Sequence, residues 1–212
     1  MTTRHATVLC LVALMPSAAT AGCAVTDTTQ FYTLGPVEAP RVNGVTAAST
    51  VRASPGGMGA GAIGVGPVFL PGYLDRIQIV TRTDADQVDL SQFYRWAEPL
   101  DEGIARVLAE EIGARVPTNR IVTFPWRGSI ARVLQYQVVV AVLRFDARQG
   151  GGVVLDARWR ILGKDGTEVA FRRSTLSEAA TGPGHGPVVA AMTRALLILG
   201  QEIAAEIRTM PR

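Results

Sequence analysis

The sequence predicts an α+β fold: a two-layer sandwich in which a mostly antiparallel sheet carries two long amphipathic helices on one face. Three observations predict it. Apolar residues recur at helical spacing near residues 98–114 and again near 188–208. Between them, residues 153–161 alternate apolar and polar, the pattern of a strand with one buried face. The order is strands, a helix, three or four antiparallel strands and a second helix, which makes a two-layer sandwich.

The chain has 212 residues, enough for one core but not for two large domains. Arg4, an apolar run from Ala6 to Met15, and the small residues "PSAATAG" follow the order of an export signal over residues 1–22. Such a run is shorter than the roughly 20 residues that span a bilayer. "TAGC" resembles a lipobox, the site where a bacterial lipoprotein precursor is acylated on cysteine and cut before it. Ala21 and Gly22 fit the pattern, and Thr20 stands where an aliphatic residue is preferred. Cys23 is the expected lipidation site; the alternative is an ordinary signal cut nearby, with Cys23 a bystander. Cys10 would leave with the signal, so no internal disulfide is expected, and acylation would remove a lone thiol from an oxidising compartment.

Residues 23–30 read as a polar tether and 31–212 as a single domain. "FYTL" (Phe31 to Leu34) is β-prone, whereas residues 35–61 hold three prolines and six glycines and read as loop. "IGVGPVFL" is a strand in which Pro67 marks an edge or a bulge. "PGY" bends the chain, "RIQIVTR" is a second extended piece, and "TDADQVDLSQ" is a polar link into "FYRWAEPL". Leu100, Ile104, Val107, Leu108 and Ile112 then form one helical stripe, with Pro99 suited to the first turn, Asp101 and Glu102 at the positive end of the helix dipole, and Pro117 as its stop.

Residues 120–126 form a short strand ended by Pro125. Leu134 to Arg148 is apolar on both sides through Val138–Leu143, so it is expected at the centre of the sheet, covered at least in part on both faces. After the "QGGG" turn, Val153, Leu155, Ala157, Trp159 and Ile161 point to the core while Asp156, Arg158 and Arg160 point to water. "GKDG" turns the chain into a third strand of this meander. Beyond the breaker "TGPGHGP", Val189, Met192, Leu196, Leu199, Ile203 and Ile207 define the second helix.

Composition narrows function. Twenty of the 21 cationic residues are arginine, dispersed with no run longer than Arg172–Arg173, so a nucleic-acid footprint is missing. No GxSxG, HExxH, phosphate-binding glycine loop or spaced Cys/His set occurs, and the glycines at 59, 61 and 64 precede a strand instead of a helix. Asp84, Asp86 and Asp89 lack the glycine and terminal glutamate of a calcium loop. His185, the one histidine outside the signal, sits among glycines and is expected to be solvated. No cofactor, metal or catalytic residue is expected, and an enzyme such as a lipid hydrolase ranks last because no nucleophile has a base partner.

"FYTLGP", "LPGYLDRIQIVTR", "YRWAEPLDEGIARVLAEEI", "VTFPW", "VVVAVLRFDA", "LDARWRI" and "ALLILGQEIAAEI" resemble, in order, the PqiC/YmbA-like family of ABC-type transport auxiliary lipoproteins. The resemblance implies a non-enzymatic periplasmic adaptor, held to a membrane by its lipid anchor, which docks on an MCE-domain transport protein and its ABC transporter complex to serve envelope lipid trafficking. Ala24 differs from the aspartate of an inner-membrane retention signal, which implies outer-membrane tethering. The competing reading is an adaptor lipoprotein of another envelope machine, for lipopolysaccharide or cell-wall assembly. Tyr73, Leu74, Asp75, Arg76, Arg95 and Trp96 are the expected contact face for the partner or for a second copy in a homo-oligomer; the alternative is that they close the sandwich around the first helix.

Overall fold

The computed structural model describes residues 28–35, 61–118, 120–148 and 151–211. Residues 1–22, Cys23 and most of the 35–61 loop lie outside the described residues.

In chain order the elements are β1 (Gln30–Tyr32), β2 (Ala62–Phe69), β3 (Gln78–Arg82), β4 (Val88–Trp96), α1 (Leu100–Arg115), β5 (Ile121–Thr123), α2 (Ile130–Val133), β6 (Leu134–Arg148), β7 (Val153–Gly163), β8 (Glu168–Glu178) and α3 (His185–Arg208). The fold is α+β, with both long helices on one face of an open eight-stranded sheet.

The sheet is organised by β6. One edge pairs along nearly its whole length with β7, and β7 pairs in turn with β8, both ladders antiparallel. Its other edge is divided. β2 runs parallel to Leu134–Ala141, and β3 takes over at Ala147 and Arg148. The sheet therefore forks: β5 extends the β2 branch, while β4 and then β1 extend the β3 branch. The long ladders are antiparallel, and the short ones that join the N-terminal strands to β6 are parallel.

One cross-sheet row shows where the core lies. Val65 registers with Val138 and Val138 with Ile161, and all three are fully buried beneath the helices. Every residue of the two helical stripes is buried as well. α3 is long and apolar enough to cross a membrane by length and composition, with a mean hydropathy of 1.5, but its stripe is packed into this core. The helices approach closely at Gly200, where an added Cβ would lie 2.8 Å from Cγ of Glu111.

Two expectations need correction. The second half of the "polar link" is strand: β4 forms a hairpin with β3, closed where the Thr83 N–H donates to the Gln87 carbonyl, and Asp84 and Asp86 belong to that turn. Pairing of Val88–Leu90 with β3 overrides the weak local propensity of "VDLSQ". Of the two roles expected for Pro67, the bulge is the one found, since the register of β2 against β6 shifts between Val65 and Val68. His185 is the first residue of α3, half-buried and stacked on Tyr94 with ring centroids 3.8 Å apart.

Candidate partner-binding surface

Among the described residues, neither long helix packs on the face of the sheet opposite α1 and α3. Its most constrained point is Asp146. This residue ends the long apolar stretch of β6 and is completely buried. A buried carboxylate is tolerated only when its charge is met. Arg82, on the neighbouring β3, donates from Nε at 3.0 Å and Nη2 at 2.9 Å to Oδ2, and Arg144 donates from Nε at 2.8 Å to Oδ1. The Tyr73 hydroxyl donates to Oδ2 at 3.3 Å, and the Arg82 guanidinium lies 5.8 Å from the Tyr73 ring centroid.

This cluster places the turn between β2 and β3. Tyr73 is drawn toward Asp146 while Leu74, 1% exposed, plugs the core. The hydrogen bond to Asp146 raises the Arg82 pKa above its already high value, which keeps the cation charged. Burial, then the Asp146 charge, raises the Tyr73 hydroxyl, so it stays a donor.

The six expected contact residues divide in two. Leu74 and Trp96 are core, the latter 5% exposed. Asp75 is exposed, and Tyr73, Arg76 and Arg95 are half-exposed around the turn and the end of β4. β3 and β4 bring them together, since Arg95 registers with Gln78 and the Trp96 N–H donates to the Ile77 carbonyl at 2.6 Å. Neither arginine has a carboxylate partner among the described residues, and the Nε atom of each is buried without an acceptor. Arg76 makes one long contact, from Nη2 to the Gly72 carbonyl at 3.4 Å.

Arg82, Arg144 and Asp146 were not among the expected site residues. The usable signal was a carboxylate inside "VVVAVLRFDA", which demands cationic company. Among the described residues no three His, Cys, Asp or Glu side chains converge on a possible metal position.

The molecule is thus a two-layer α+β domain in which Arg82 and Arg144 hold the buried Asp146 beside the β2–β3 turn. The chain belongs to the family of ABC-type transport auxiliary lipoprotein components, whose model matches residues 45–204. None of the curated proteins matches it. Among solved structures, one described as an uncharacterized protein superposes with a TM-score of 0.65 at 22% identity, covering 85% of this chain and 99% of that one. A protein from Xanthomonas campestris superposes at 0.56 with 17% identity, covering 70% of this chain and 88% of its own. The PelC dodecamer from Paraburkholderia phytofirmans gives 0.41 at 12% identity, covering 66% and 86%, a likeness too low to carry an argument. The first two support the fold alone.

Proposed function

We propose that the chain is a non-enzymatic adaptor of an ABC/MCE-type lipid transport system, exported by residues 1–22 and acylated at Cys23. It is held at the periplasmic face of the outer membrane. The observation that carries this proposal is the family match over residues 45–204. The lipobox-like "TAGC" supplies the anchor point, and several acyl chains, at about 0.8 kcal/mol per buried CH2, suffice for durable attachment.

In this proposal Tyr73, Asp75 and Arg76 contact the MCE-domain partner, and Arg95 stands at the border of that surface. Leu74 and Trp96 hold that surface from beneath. An arginine with no carboxylate partner among the described residues, as Arg76 is, suits the task, because its guanidinium fork can receive a partner's carboxylates without first breaking an ion pair there. Association of several copies around the partner is compatible with the same surface.

The test is purification of the tagged chain from detergent-solubilised membranes, with mass spectrometry of both the chain and its companions. The expected result is an acylated N-terminal cysteine at position 23 and co-purification of an MCE protein with its ABC ATPase and permease. An unmodified chain in the soluble periplasmic fraction, or co-purification of a lipopolysaccharide or cell-wall assembly machine instead, would refute it.

A further inference from the structure

The strand nearest Cys23 carries an apolar edge that the core does not use. β1 begins at Gln30, and eight chain steps from Cys23 to Phe31 span at most about 28 Å. Phe31 is 64% exposed, the highest value among the exposed large hydrophobic side chains.

Register and packing define the side on which it lies. Phe31 pairs with Arg95, and Tyr32 with Trp96. Trp96 is core, and Tyr94 stacks on His185 of α3, so Tyr94 and Trp96 face the helices. Phe31, Arg95 and Phe93 therefore face the other way, by strand alternation. Phe93 is 36% exposed. Arg95 stands among them with no carboxylate partner among the described residues.

We infer that this edge seats the domain on a phospholipid bilayer, with Phe31 and Phe93 in the interfacial layer and Arg95 on anionic headgroups. The inference rests on acylation at Cys23 in the proposed function. A tether this short keeps the edge within reach of the bilayer continuously, so even a weak side-chain contribution sets orientation. Exposed aromatic groups beside an arginine match the chemistry of such a surface. The acyl anchor holds the protein to the membrane, and the seat fixes which way the neighbouring turn faces, leaving Tyr73, Asp75 and Arg76 to the protein partner.

Two experiments test it. The chain from residue 23 onward retains every described element; carrying Cys23→Ser, it is co-sedimented with vesicles of equal parts phosphatidylethanolamine and phosphatidylglycerol across a lipid titration. Binding is expected, weakened about tenfold or more in a Phe31→Asp variant with unchanged thermal unfolding, and about fivefold by Arg95→Glu. Equal sedimentation of the parent chain and Phe31→Asp overturns the seat, whatever the state of Cys23. In the acylated protein, whose only mature cysteine is blocked, a nitroxide label is placed at Phe31→Cys or at Glu202→Cys on the helix side. Label 31 should be relaxed by oxygen more than by a water-soluble nickel chelate, and label 202 the reverse. A label at 31 that behaves like the one at 202, or that is shielded from both relaxants as in a protein interface, contradicts the seat. Failure of acylation would appear separately, as an unmodified mass.

Discussion

Arg82 grips the buried Asp146 carboxylate through two nitrogens, at 3.0 and 2.9 Å, and with Tyr73 couples the β2–β3 turn to the centre of the sheet. Removing the carboxylate leaves Arg82 and Arg144 without their shared partner. Asp146→Ala is therefore expected to cost about 3–5 kcal/mol, the range for breaking a buried pair on one side. Urea denaturation measures it. Tyr73→Phe removes only one long hydrogen bond and should cost about 1 kcal/mol.

The crossing of α1 and α3 depends on Gly200. An added Cβ would meet Cγ and Cβ of Glu111 at 2.8 and 2.9 Å, near the backbone end of that side chain, where little give is available. Gly200→Val should destabilise the domain by about 1–3 kcal/mol through overpacking, read as a lower urea midpoint with unchanged slope. A neutral result would mean that the helices separate without cost.

His185 predicts a pH dependence. Burial lowers its pKa below 6.5, against an opposing pull from Asp89, and the ring is stacked on Tyr94. The unfolded chain accepts a proton at about pH 6.5, where the folded chain resists it. The contribution to stability is thus complete above that pH and is lost as pH falls through the folded value. Thermal unfolding should show a decline from about pH 7 to about pH 5 that His185→Gln reduces. An identical slope in the variant would contradict the assignment.

Much of the fold is legible in the sequence where one element satisfies its own pattern. α1 and α3 are marked by stripes whose every residue is buried, and β6 and β7 by apolar runs and alternation. β4 is not legible, because Ser91 and Gln92 interrupt its alternation and the strand character of its first half comes from β3, with β1 joining only at Tyr94–Trp96. The parallel ladders onto β6 escape detection for the same reason: they join segments more than 60 residues apart. Of the candidate site, the YLDR and RW segments are visible, but exposure is not. Trp96 and Leu74 read like contact residues and are core, while Phe31 reads like an ordinary strand residue and is open. Asp146 shows only its need for a partner, and the fold supplies Arg82.

The adaptor role is tested most directly by capture of the MCE-domain partner on the acylated full-length chain, comparing the parent with Arg76→Glu at matched thermal stability. Arg76 is half-exposed and has no carboxylate partner among the described residues, so the substitution should leave the fold intact. The expected result is stoichiometric capture by the parent and a loss of about tenfold or more in the variant, as for an arginine at an interface hot spot. Undiminished capture by Arg76→Glu would contradict the contact surface, and no capture by the parent would contradict the adaptor role itself.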